Sequence, residues 1–423
     1  MITTKSVNIL SQLSRFYVRR FYSVSLPELD IDYYCNTNNI SEITQNITKR
    51  KGAGDIAKVL DAYNTLTASK THESYNDTRE LLHKELLKLP NRTHPTVQNY
   101  DNEPHTIKMI NEKRDFGNHK ALEFSEITRL LNIMRTDKLG YTCDHKSYYF
   151  MGELAELEEA LIKYAVSVLL TKNFKLVSVP DILPSNVLES CGMTVNNNRT
   201  QIYSLDPVHH GADLCLSGTA EMSLAGLLMN SVHDLNSLPI KLAAVSRCYR
   251  AETSNLLEER GIYRVHQFTK VEMFVVTTPD QSEEMLEYIR HVQEELFTPL
   301  GLHMRVLDMP PHELGAPAYR KYDIEAWLPG RQRYGEISSC SNCTDYQSRR
   351  LNIKYNHEGK QYFVHTLNGT ACAVPRMLIA LLETHQSPKG KIAVPKILQP
   401  FMSNKEFITK NVRVPDLKLL KTK

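Results

Sequence analysis

Apolar positions recur at helical spacing in two stretches of the N-terminal region. Ile56, Val59, Leu60, Tyr63 and Leu66 form the first set, and Leu81, Leu82, Leu86 and Leu87 the second. The polar run Thr71-His72-Glu73-Ser74 lies between them. Two helices joined by a short polar turn predict an antiparallel hairpin. Leu89-Pro90-Asn91 ends the second helix, because the residue before a proline avoids helical geometry. Residues 28–95 are therefore read as one helical unit, and the polar stretch 96–121 as a linker.

The pattern changes over residues 122–402. Leu154, Leu157, Leu161, Ala165 and Val168 line one face of a predicted helix over 153–170. A strand over 174–179 follows, closed by Pro180. Further strands are predicted at 262–276, 303–308, 321–328 and 361–367, and helices at 219–231, 281–297 and 374–385. Several strands arrive consecutively without an intervening helix. That favours an antiparallel sheet in an α+β domain over a doubly wound parallel sheet. Residues 403–423 read as a tail.

With 423 residues and 41% hydrophobic content, the chain can bury a sizeable core across two or three domains. No apolar run approaches the roughly 20 residues that span a bilayer, so no membrane partner is expected. The net charge of +3 leaves any nucleic-acid surface to a local basic patch. Eight cysteines in so long a chain are read as free thiols in a reducing or mixed compartment. The first 27 residues carry Lys5, Arg15, Arg19 and Arg20 and no acid. Leu10, Leu13, Phe16 and Val18 can form one side of a basic amphipathic helix. This is the composition of a mitochondrial transit peptide, with Arg20-Phe21-Tyr22-Ser23 as the cleavage step after residue 22. A disordered basic tail is the plainer alternative.

Candidate chemistry concentrates in three segments. The first runs Cys248-Tyr249-Arg250-Ala251-Glu252, then a polar loop, then Gly261-Ile262-Tyr263-Arg264-Val265-His266-Gln267-Phe268-Thr269-Lys270-Val271-Glu272. It reads as a strand, a charged loop and a returning strand. An arginine there can clamp a phosphate with forked hydrogen bonds. Phe268 offers a flat face to a heterocycle, and Glu272 a carboxylate to an ammonium group. The second segment is Glu336-Ile337-Ser338-Ser339-Cys340-Ser341-Asn342, where Glu336 and Ser339 are hard oxygen ligands suited to Mg²⁺. Cys340 and Cys343 form a CxxC without a second pair at zinc spacing, so no zinc is expected. The third, Asn368-Gly369-Thr370-Ala371-Cys372-Ala373-Val374-Pro375-Arg376, leads into an apolar helix with Pro375 in its first turn. Thr219-Ala220-Glu221 is consistent with an ordinary helix start, a Thr N-cap followed by an acid.

Together these strings resemble the class II aminoacyl-tRNA synthetases. Arg264-Val265-His266-Gln267-Phe268 with Glu272 narrows the resemblance to the seryl-tRNA synthetases, and the wording around Arg250, Glu272 and Arg376 to their animal mitochondrial branch. The resemblance implies the class II antiparallel catalytic sheet, with the helix at 153–170 and its strand as the dimer element. It also implies ATP-dependent activation of serine to seryl-adenylate and transfer to tRNA-Ser in the mitochondrial matrix. By position it assigns ATP to Arg250, Glu252, Arg264, Val265, Phe268, Glu336, Ser339 and Arg376. Arg250, Glu336 and Arg376 would be catalytic. Serine would fall to Thr219, Glu221, Glu272, Asn368 and Thr370, and Mg²⁺ to Glu336 and Ser339.

Two departures from the family pattern stand out. Gly335 occupies a position where bacterial seryl enzymes carry arginine. The N-terminal hairpin is short, only roughly 20–25 Å at 1.5 Å per residue, where the family carries a long tRNA-binding arm. A homodimer, or a heterodimer with a paralogue, is expected to share the tRNA work. A non-aminoacylating paralogue that acts as a partner subunit is the competing reading.

Overall fold

The computed structural model describes residues 26–68, 72–136, 146–195, 200–210, 213–252, 261–388 and 390–412. The presequence expected at 1–22, the charged loop at 253–260 and the end of the tail beyond 412 lie outside them.

The longest helices of the N-terminal unit are α1 (Ile40–Lys49), α2 (Ile56–Ala68) and α3 (His72–Leu86). The hairpin of α2 and α3 matches the apolar spacing. Val59 and Ala62 pack in one cluster with Leu82 and Leu86, joined by Ile43 and Ile47 of α1 and by Leu89. Helix α1 escaped the sequence reading, although Ile40, Ile43 and Ile47 lie at helical spacing. Helix α3 begins at His72, inside the run read as the turn. A polar run suits the solvated start of a helix as well as it suits a turn. Gly54 must be glycine, because it holds φ +87° and a Cβ there would sit 2.6 Å from Leu89 Cδ2.

A buried joint fastens this unit to the rest of the chain. The Arg50 guanidinium donates to the carbonyls of Ala318 at 2.9 Å and Ala316 at 3.2 Å. Asn91 Nδ2 donates to the carbonyls of Pro317 at 2.8 Å and Cys343 at 2.9 Å. Arg50 is only 4% exposed, and burial pushes its pKa down to about 10.

The remaining chain is organised by an eight-stranded sheet. Its strands are β1 (His105–Ile110), β2 (Lys175–Leu176), β3 (Ile240–Tyr249), β4 (Gln267–Thr277), β5 (Met304–Asp308), β6 (Arg320–Leu328), β7 (Arg333–Asn342) and β8 (His365–Ala373). Their spatial order is β1-β5-β6-β7-β8-β4-β3-β2. Every pairing is antiparallel except the last, where Lys175 of β2 faces Leu242 of β3 in parallel. That exception follows from connectivity: helix α4 (Glu153–Thr171) leads directly into the edge strand. Helices α4, α6 (Ser282–Phe297) and α7 (Val374–His385) contribute to the main hydrophobic core, with Leu154, Leu161, Ile289, Leu296, Leu378 and Leu382 fully buried. Among the described residues no helix is long and apolar enough to cross a membrane. The fold is α+β, as the succession of strands predicts.

Two segments differ from their sequence reading. The stretch 96–121 contains β1, the edge strand of the large sheet, which pairs with β5. Five of its six residues are exposed, so no buried face imposes an alternating pattern. The tail is docked through residue 411. Phe407–Ile408 pairs with Ile392–Ala393, Ile408 is fully buried, and Asn411 N–H donates to the Leu131 carbonyl at 2.8 Å. A single buried apolar residue in a polar tail leaves little periodicity to read. Strand boundaries also shift. The strand expected from 262 begins at Gln267, and the one expected at 361–367 divides into Lys360–Phe363 and β8. Strand β7 was not predicted, since its inward positions include Ser338, Ser341 and Asn342.

Candidate active site

The hairpin of β3 and β4 forms one wall of an open cleft. Arg250 follows the end of β3, and its backbone N–H donates to the His266 carbonyl at 2.9 Å. Its guanidinium lies 5.3 Å from the Phe268 ring centroid. Glu252 is buried and sits 3.6 Å from Arg264. The opposite side comes from β7 and α7. Arg376, in the first turn of α7, reaches Glu336 at 2.8 Å. Pro375 fixes that turn at a position where no intrahelical N–H is needed. The cleft is open to solvent, and its lining is more polar than apolar. Val265, Ser339 and Thr370 complete the wall among the predicted residues.

The electrostatics of this cleft are cationic with a fixed anion. Burial alone would raise the Glu336 carboxyl. Arg376, Lys321 and Arg250 outweigh it and hold the group at about 2. Glu336 is therefore ionised at neutral pH, with a third of its side chain open to the cleft.

A second cluster adjoins the first through Thr370. Its hydroxyl donates to Glu272 Oε2 at 3.2 Å, across paired strands β4 and β8. The same carboxylate oxygen is 2.7 Å from Lys270 Nζ. Glu221 accepts from Asn368 Nδ2 at 2.9 Å and from Gln347 Nε2 at 2.6 Å, both on Oε1. Thr366 donates to Gln347 Oε1 at 2.7 Å and so fixes which way that amide points. Burial first, then the neighbouring Glu272, raise Glu221 to about 7. Thr219 is the N-cap of helix α5 (Ala220–Leu227) and accepts from Glu221 N–H at 3.4 Å. The structural reading of Thr-Ala-Glu thus holds, and the cap also places Glu221 at the pocket.

All thirteen candidate residues fall in these two joined clusters. Sequence reasoning missed Lys270, Gln347 and Gln293. Gln293, fully buried on α6, donates through Nε2 to Ser338 Oγ at 2.9 Å and to the Ser339 and Thr370 carbonyls at 2.8 and 3.0 Å. It ties β7 to β8 beneath the site. Lys270 lies inside the quoted string and was legible; the two glutamines are remote in sequence and carried no signal. The Cys340 and Cys343 thiols are buried, and burial pushes both well above their ordinary value.

Residues 203–385 match the tRNA synthetase class II core domain (G, H, P, S and T). Every candidate residue lies within that span. The Mus musculus protein named serine-tRNA ligase, mitochondrial, is 47% identical over 340 residues, 79% of this chain and 65% of its own length. The serine-tRNA ligase of Rubrobacter xylanophilus is 42% identical over 79% of this chain and 78% of its own length. The chain belongs to the serine-tRNA ligase family. A solved member, the cytoplasmic serine-tRNA ligase of Naegleria fowleri in complex with AMP, superposes with a TM-score of 0.81 at 28% identity. That alignment covers 90% of this chain and 99% of the other. The chain spans just under two thirds of the mouse serine-tRNA ligase, 65% of its length.

Proposed function

We propose that this chain activates serine with ATP and transfers it to tRNA-Ser in the mitochondrial matrix. One observation carries the reading. A cleft rich in cationic side chains shares Thr370 with an adjoining buried cluster of carboxylates and amides. ATP in the first and the ammonium and hydroxyl of serine in the second would meet at that junction. The AMP in the Naegleria fowleri structure supports a nucleotide in the cleft, and the name of the mouse relative supports the organelle.

Each residue then has a chemical task. Phe268 stacks on adenine, and Glu252 accepts from its amino group. Arg264 and Arg376 hold the polyphosphate tail. Glu221 and Glu272 receive the serine ammonium, while Asn368 and Thr370 orient the hydroxyl. A serine carboxylate oxygen attacks the α-phosphorus, forming the acyl–phosphate bond as pyrophosphate leaves. Arg250 stabilises charge on that phosphate in a site already organised for it. The terminal ribose hydroxyl of tRNA then attacks the acyl carbon, and AMP leaves. Buried hydrogen-bonding groups reject alanine, which would leave them unpaired.

Glu336 and Ser339 line the cleft as two oxygen donors, one of them firmly ionised. Mg²⁺ takes one or two carboxylates together with substrate phosphates, so the pair fits it. When bound there, the ion would offset charge on the phosphates.

The helical unit at 28–95 would serve as a short tRNA-binding arm, with 122–402 as the catalytic domain. A dimer is part of the proposal. Leu170, near the end of α4, and Leu176 of the edge strand β2 are about half exposed, a surface suited to a second subunit. The non-aminoacylating alternative gains no support, since each charged position expected of an active site is present.

ATP–pyrophosphate exchange with purified protein and single amino acids tests the reading. Exchange is expected with serine and in the presence of Mg²⁺. Exchange without amino acid preference, or no nucleotide binding, would sink it.

A further inference from the structure

Tyr263 touches both members of the Glu336–Arg376 pair. The Arg376 guanidinium lies 4.7 Å from the Tyr263 ring centroid, and Arg376 Nε donates to the Tyr263 carbonyl at 3.5 Å. The Glu336 backbone N–H donates to the phenol oxygen. Two more guanidiniums approach the same ring, Arg331 at 5.9 Å and Arg333 at 6.0 Å. Arg331 is anchored from behind, 3.8 Å from the buried carboxylate of Glu383.

The ring fits because residue 335 has no side chain. A Cβ on Gly335 would lie 2.9 Å from Leu328 Cδ1, 3.2 Å from Tyr263 Cε2 and 3.4 Å from the phenol oxygen. Tyr263 and Gly335 are thus a matched pair: the space beside Glu336 belongs to the tyrosine.

A guanidinium held by its face on an aromatic ring keeps its N–H donors at the edge. Those donors are the groups that grip phosphate in forked pairs. Tyr263 therefore orders the Arg376 guanidinium through its ring face and its carbonyl, which takes only Nε. Resting on the reading of the cleft as an ATP site, we propose that Tyr263 is the positioning residue for the outer phosphates. It fixes Arg376 against Glu336 and so sets that guanidinium for the polyphosphate tail and the pyrophosphate that departs.

Calorimetric titration with ATP and with AMP, without amino acid, tests this in the absence of turnover. Tyr263→Leu is expected to weaken ATP about tenfold while leaving AMP within about twofold, a difference of one guanidinium contact. Tyr263→Phe keeps the ring and should lose only about two- to threefold, the size of one neutral hydrogen bond. Gly335→Ala should reproduce the Tyr263→Leu defect, and the double variant should be no worse than the poorer single one, because both act on one contact. Melting temperatures close to wild type qualify the comparison, and Tyr263→Phe remains informative where Tyr263→Leu fails to fold. Equal weakening of ATP and AMP, or none of either, overturns the proposal. Wild-type protein that binds neither nucleotide instead overturns the reading of the cleft.

Discussion

Glu221 shares its pocket with Glu272, and the second carboxylate adds to burial in raising the first to about 7. The two acids are not equivalent. Glu272 is already answered by Lys270 and Thr370 through Oε2, whereas Glu221 is held by two neutral amides through Oε1. An incoming ammonium therefore gains most at Glu221, whose charge is otherwise poorly offset.

Under the proposed function, this arrangement gives serine binding a pH dependence of definite sign. A carboxylate raised to about 7 is ionised above that value and neutral below it. Serine affinity should be highest above pH 7 and fall about tenfold per unit below it, as one proton competes with the ammonium. Titrating serine binding from pH 6 to 8.5 measures it. Glu221→Gln should give weak binding that is flat across the range. A flat wild-type profile would mean that Glu221 does not receive the ammonium.

Lys270 and Glu272 make a test of the pocket's internal balance. Their side chains are only 9% and 2% exposed. Removing one partner of a buried pair leaves the other charge unanswered, at a cost of about 3–5 kcal/mol. Lys270→Met should lower stability by that order in urea unfolding. Lys270→Met combined with Glu272→Gln should recover much of it, since neither charge then remains. Additive losses in the double variant would show that the two groups do not act as a pair.

Arg250→Ala and Glu336→Ala should each lower ATP–pyrophosphate exchange by about 10²–10³ with circular dichroism unchanged, because each acts where charge develops. Glu272→Ala should chiefly raise the KM for serine, since its partner is present in ground and transition states alike. Near-normal exchange in Arg250→Ala would mean that the β3–β4 hairpin carries no nucleotide.

Most of the candidate cleft was legible in the sequence because its charged residues cluster in three short strings with distinctive neighbours. Arg250 and Phe268 lie on one hairpin, and Glu336 and Arg376 on adjoining elements of one core. What stayed hidden were polar residues that converge from afar. Gln347 reaches Glu221 across 126 positions, and Gln293 reaches Thr370 across 77. A buried glutamine looks in sequence like a surface one; only its partners distinguish it. The same holds for Arg50. One arginine in a polar stretch gives no hint that its donors are spent on carbonyls more than 260 positions away.

That joint carries its own prediction. Arg50→Ala would leave the Ala318 carbonyl without its donor in a buried seam, while the Gly315 and Ala316 carbonyls keep the Ala318 and Asn91 N–H groups. Each buried group left unsatisfied costs about 1–3 kcal/mol. The helical unit should loosen before the sheet does, so limited proteolysis should cut first within residues 28–90. Cleavage in the sheet at the same rate would show that the two parts unfold together.

The short arm sets the last test. Helices α2 and α3 have 13 and 15 residues, which gives a hairpin of roughly 20 Å at 1.5 Å per residue. Removing residues 56–88 outright would strip Val59, Ala62, Leu82 and Leu86 from a cluster that also holds Ile43, Ile47 and Leu89. That deletion would expose the remaining apolar side chains and confound any loss of function. A cut confined to residues 64–78, replaced by a short Gly-containing turn, leaves Val59, Ala62, Leu82 and Leu86 in place. Serine-dependent exchange should survive it, because the cleft lies on the far side of the Arg50 and Asn91 joint. Aminoacylation should fall, and its salt dependence should weaken, if Lys70 and other basic residues of the arm make phosphate contacts. Charging by the isolated protein and by the protein recovered with its mitochondrial partners should then differ at matched active-site concentration. Equal charging in the two preparations, with the tip intact or removed, would mean that neither this arm nor a partner's takes part in binding tRNA.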